Sequence, residues 1–63
     1  MKTVAVHIDV GDYVEMDGRV LEVKETNFDD HDVTMWFHDG SVIRCPAGVK
    51  INVVKRPEED IEV

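Results

Sequence analysis

The sequence predicts a small all-β domain, a strongly bent five-stranded sheet with two tight Asp-Gly hairpins. Three observations carry that prediction. Valine occupies 12 of 63 positions, and β-branched side chains fit a pleated, half-buried surface better than a helix. Apolar residues alternate with polar ones, and no window spaces them at i, i+3, i+4, i+7 as an amphipathic helix requires. Two Asp-Gly dipeptides, Asp17-Gly18 and Asp39-Gly40, stand between alternating runs. That is a strong hairpin signal, because a type I′ turn needs positive φ at both central residues.

The elements follow in chain order. Residues 3–8 are expected to form a first strand, with Val4, Val6 and Ile8 on one face and Ala5 and His7 on the other. Gly11-Asp12 breaks it. Residues 13–16 form the next run, and Asp17-Gly18 turns the chain back into residues 19–26. Leu21 and Val23 are assigned to opposite faces there, so that both sides of the strand are part-covered, as where a small barrel closes. Residues 27–31 are read as a polar, acidic loop. Residues 32–38 alternate cleanly, with Val33, Met35 and Phe37 on one face and Thr34, Trp36 and His38 on the other; if the first face is core, Trp36 points outward. Asp39-Gly40 leads into residues 41–45, and Pro46-Ala47-Gly48 turns again into residues 50–55. Pro57 ends that strand, since proline donates nothing to a ladder. The domain is set at residues 1–56, and the acidic tail 57–63 is expected to be disordered.

A domain of this size buries only roughly 60% of the surface its unfolded chain exposes. Cys45 is the sole cysteine, so no internal disulfide can help. Good packing, association with another chain or a metal must compensate. No Cys-x-x-Cys or His-x-x-x-His spacing occurs among His7, His31, His38 and Cys45, so neither a metal nor another cofactor is expected. A basic stretch followed by an apolar run is missing from residues 1–12, and apolar runs never exceed three residues. A signal peptide and a membrane span are therefore not expected, and the chain is read as cytoplasmic with no membrane partner.

The net charge is −7, from 14 acidic and 7 basic residues. Binding to duplex phosphates ordinarily needs a basic protein, so this balance disfavours it. The charge is graded, however. Residues 41–56 carry Arg44, Lys50, Lys55 and Arg56 without an acid, and residues 57–63 carry four acids.

In about 60 residues, such a bent sheet of short strands is expected to be an SH3-like or OB-like small barrel, and the SH3-like form is favoured because the OB fold usually needs more chain and a helix. Residues 11–23, Gly11-Asp12-Tyr13-Val14-Glu15-Met16-Asp17-Gly18-Arg19-Val20-Leu21-Glu22-Val23, resemble the opening of KOW and related SH3-like barrels. Over roughly residues 4–55 the chain is also similar to short proteins of actinobacteria and their phages. These share a Gly-Asp-x-Val start, a central Asp-Gly hairpin and a Pro-x-x-x-Val-x-Val close. The resemblance implies the barrel fold, and for KOW domains a link to RNA or to the transcription and translation machinery.

Six residues are candidates for a binding site. Trp36 leads, because an outward tryptophan supplies interface energy or a stacking platform; the other reading is packing in the core or in a subunit interface. Thr34 and His38 share its face. Tyr13 follows the Gly-Asp turn, where the resemblance implies a groove-lining aromatic that would join Trp36; alternatively it covers one end of the barrel. Arg44 and Lys50, with Lys55 and Arg56, suit a single nucleic-acid strand or an acidic protein surface, or form a solvated strand face. No nucleophile-base set, paired-carboxylate motif or glycine-rich phosphate loop is recognisable, so the chain is read as non-catalytic. The leading expectation is a small interaction module, a phage or bacterial accessory protein that binds a protein partner or itself. The alternatives are a nucleic-acid-binding SH3/KOW-like barrel and an acidic DNA mimic that inhibits a host protein.

Overall fold

The computed structural model describes residues 1–56, and residues 57–63, where the acidic tail was placed, lie outside them. The strands are β1 (Lys2–Val4), β2 (Tyr13–Met16), β3 (Arg19–Asp29), β4 (Asp32–Phe37), β5 (Val42–Pro46) and β6 (Lys50–Lys55). They form one antiparallel sheet in the order β1-β6-β2-β3-β4-β5. The all-β expectation holds, and among the described residues the count of five strands is corrected to six. Residues before and after Gly11 make separate strands because β6 takes one on each side, pairing Thr3 with Ile51 and Val14 with Val53.

The first run departs from alternation. Its strand ends at Val4, and Ala5–His7 tighten into a 3-10 turn closed by the Ile8 N–H on the Ala5 carbonyl at 3.1 Å. A three-residue period sets Ala5 and Ile8 on one side. Those two are buried, whereas Val6, expected to share a face with Ile8, is exposed. The turn is held from outside by two bonds: Ala5 N–H to the Val49 carbonyl at 2.8 Å and Val6 N–H to that of Ala47 at 3.1 Å.

Three turns order the middle of the sheet. Asp17 and Gly18 have φ of 53° and 76°, the type I′ geometry that Asp-Gly predicts. At the second Asp-Gly only Gly40 has positive φ, at 94°. There Phe37 N–H bonds Ser41 O, and Gly40 N–H bonds Phe37 O, each at 3.0 Å. This is a three-residue loop, His38-Asp39-Gly40, with the glycine in the bulge position. Asp39 stabilises it by accepting the Ser41 N–H at 2.9 Å and the Ser41 hydroxyl. The expected loop at residues 27–31 shrinks to a two-residue turn at Asp30 and His31, with Asp30 at φ 60°. β3 therefore runs on to Asp29.

The long β3 serves both halves of the sheet. Its first residues pair with β2 and its later ones with β4. Lys24 is an extra residue between the Val23–Phe37 and Glu25–Trp36 pairs, and such a bulge bends a strand and increases its twist. Leu21 and Val23 stand on one inner face, as residues two apart must when the bulge falls beyond them. With the sheet so bent, Val14, Val23, Val33, Met35, Phe37, Ile51 and Val53 meet Ala5 and Ile8 in one core. Among the described residues, no helix is long and apolar enough to cross a membrane.

Candidate binding surface

The strict alternation of β4 decides its two faces. Val33, Met35 and Phe37 are buried, and Thr34 and Trp36 are half-buried on the other side. Directly opposite strand partners share a face, so the register builds the outer surface row by row. Trp36 lies between Glu25 of β3 and Val42 of β5; Thr34 lies between Asn27 and Arg44; Asp32 lies between Asp29 and Pro46. Val42 is 54% exposed, so an apolar strip of Trp36 and Val42 borders solvent. Arg44 folds back to Asp32, its Nε donating to Oδ2 at 3.2 Å.

The sheet thus gathers Thr34, Trp36 and Arg44 on one face. His38 begins the next row, where its N–H bonds the Glu22 carbonyl at 3.1 Å and its Nε2 stands 4.0 Å from Glu22 Oε2. Glu22 pairs in turn with Tyr13, whose ring lies 5.7 Å from the Lys55 ammonium. Tyr13 and Trp36 are on strands separated by β3, and no pocket is found among the described residues. What lies between them is an open surface carrying Glu22 and His38. Lys50 is exposed on β6 across from Val4 and does not join this face.

The basic segment consequently forms no single patch. Arg44 faces Asp32, Lys55 faces Tyr13, and Arg56 NH2 is 3.6 Å from Asp12 Oδ2. Sequence reasoning missed this last contact. Asp12 is 1% exposed and also accepts the Asp9 N–H at 3.0 Å. A buried carboxylate needs such partners, so Asp12 is more than a strand breaker. Gly-Asp was its only signal, and that dipeptide reads equally as an ordinary turn. Arg19 to Asp39, at 2.9 Å, was also missed; it ties the two Asp-Gly turns together at one end of the molecule.

The edge of β5 adds a feature that side-chain reasoning did not address. Hydrogen-bonded and non-bonded pairs alternate along an antiparallel ladder. Phe37 N–H bonds Ser41 O at one end of the β4–β5 pairing, and Ala47 N–H bonds His31 O at the other. The register between them is unbroken, so Ile43 and Cys45 also turn their backbone groups toward β4. Those of Val42 and Arg44 therefore point away, along the end of the sheet. Pro46 follows with no N–H, and its carbonyl accepts the Val49 N–H at 3.1 Å. Cys45 is half-buried on the inner face. Burial, with a smaller contribution from Asp32, pushes its thiol above the ordinary range. Among the described residues no three His, Cys, Asp or Glu side chains are grouped to hold a metal ion.

The chain matches no protein-family model, no curated protein and no solved structure.

Proposed function

We propose that this protein is a small non-catalytic interaction module of the SH3-like type, whose binding surface is the outer face of β3, β4 and β5 with the edge of β5. The observation that carries the reading is the placement of Trp36. It is half-buried on an open face beside exposed Val42, with Thr34 and Arg44 in the next row. A tryptophan held by neighbouring strands brings a large apolar area to an interface and loses little conformational freedom on binding.

The charge arrangement favours a protein partner over nucleic acid. Arg44, Lys55 and Arg56 each face a partner within the chain, and Lys50 stands apart. Phosphate binding depends on several cations converging on one path. Trp36 instead has Glu25 beside it.

The test is retention on immobilised protein from a lysate of the source cells, with and without nuclease, comparing wild type with Trp36→Ala. The reading expects a retained protein, this chain or another, that resists nuclease and is lost on substitution. Retention that vanishes with nuclease would move the function to nucleic acid.

A further inference from the structure

We infer that the partner at the β5 edge is a second copy of this chain, the two β5 strands pairing antiparallel about a two-fold axis at Ile43. The inference rests on the interaction-module reading and names the partner.

Two residues per edge offer backbone groups, Val42 and Arg44, and three two-fold registers bring such edges together. Centred on Arg44, the pairing sets arginine against arginine and Val42 against Pro46, which has no N–H to give. Centred on Val42, it sets Arg44 against Gly40, whose N–H is already bonded to Phe37 O. Centred on Ile43, Val42 of each copy faces Arg44 of the other. Both groups of both residues are then satisfied, in four hydrogen bonds with the spacing of an ordinary antiparallel ladder. The next position would oppose Gly40 to Pro46, and each is already closed. The pairing therefore stops at a dimer instead of extending along the strand.

Side chains and charge agree with this register. The stem of Arg44 lands beside exposed Val42 of the other copy, next to the Trp36 face. Ile43 lies against Ile43 on the inner side, where it borders the core. Copies carrying −7 each repel, but residues 40–49 hold one charged residue, Arg44, and no acid. The Ile43-centred register therefore sets no carboxylate of one β5 strand directly opposite one of the other. Salt screens the residual repulsion, so added salt strengthens the association, opposite to its effect on phosphate binding. A contact of two residues per strand is small, and its dimer is concentration-dependent.

Sedimentation equilibrium over a concentration series at low and high NaCl tests this, with two variants. Val42→Pro removes an outward N–H and leaves the β4 ladder intact, a place where proline is tolerated. Ile43→Cys combined with Cys45→Ser puts thiols opposite each other at a non-bonded pair, about 4.5 Å between Cα atoms, within disulfide range. The inference expects a mass rising from 7.2 kDa toward twice that value, more readily in high salt. It expects association weakened about tenfold or more by Val42→Pro, and a covalent dimer of the cysteine variant on mild oxidation. A monomer at every concentration and salt would overturn it. So would a dimer indifferent to Val42→Pro that fails to cross-link, which places association elsewhere and leaves the interaction-module reading standing. Nuclease-sensitive retention, in contrast, would remove that reading itself.

Discussion

At the scale of single residues, a few positions bear requirements that their neighbours do not. Asp12 is buried against Arg56 and accepts the Asp9 N–H. Removing the buried carboxylate takes away the acceptor of the Asp9 N–H, loses the ion pair and leaves a gap, so Asp12→Ala should cost about 3 kcal/mol, read as a lower urea midpoint with unchanged slope. Asp12→Asn keeps an acceptor for Asp9 and should lose less. Glycines divide by backbone geometry. Gly40 has φ 94°, where a Cβ is strained, so Gly40→Ala should destabilise by roughly 1–2 kcal/mol. Gly48 has no positive φ, and a Cβ there would meet nothing within 4 Å. Gly48→Ala should stabilise by about 0.5 kcal/mol, through fewer unfolded conformations. Thermal unfolding of the two variants checks the pair, and the signs must be opposite.

At the scale of elements, the 38–40 loop carries a pH dependence. The Ser41 hydroxyl, then its N–H, with a smaller contribution from Arg19, hold the Asp39 carboxyl below its ordinary value of 3.8. A carboxylate lowered in the folded state contributes stability that is complete above its unfolded value. That contribution is lost as pH falls through the folded value. Wild type and Asp39→Asn should therefore differ in melting temperature at neutral pH and converge below pH 3.8. The effect is small, since the group is at the surface. A difference that grows on acidification would contradict the assignment. The same loop marks where sequence patterns stop being informative. Asp39-Gly40 signals a hairpin and the hairpin is there, but the dipeptide does not distinguish a two-residue turn from a three-residue loop with a bulge. The split of β4 into two faces was legible because its six residues alternate, whereas the burial of Val33, Met35 and Phe37 decides which face is core. The first run was not, since Val4, Val6 and Ile8 fit a strand, and the turn against Val49 and Ala47 is a long-range contact. Lys24 gives no local sign of the bulge it forms. The turn at Asp30-His31 carries no glycine, which is why residues 27–31 read as loop.

At the scale of the whole molecule, the sheet of the described residues, five short strands and the long β3, folds over a core of valines and a few larger side chains, without a disulfide to reinforce it. The candidate site was legible in part. Thr34, Trp36 and Arg44 come together because strand periodicity and pairing decide it, with His38 in the adjoining row. Tyr13 reaches that surface through Glu22, and Lys50 does not reach it, since strand order is set by long-range pairing that alternation does not encode. The β5 edge was hidden for the same reason. Amide hydrogen exchange along β5, followed by NMR at low and high protein concentration, tests that edge most directly. Ile43 and Cys45, bonded to β4, should be protected throughout. Val42 and Arg44 should exchange rapidly in dilute protein and slow as concentration rises. Equal protection of all four in dilute protein, or rapid exchange of Val42 and Arg44 at every concentration, would contradict a free β5 edge that a second copy covers.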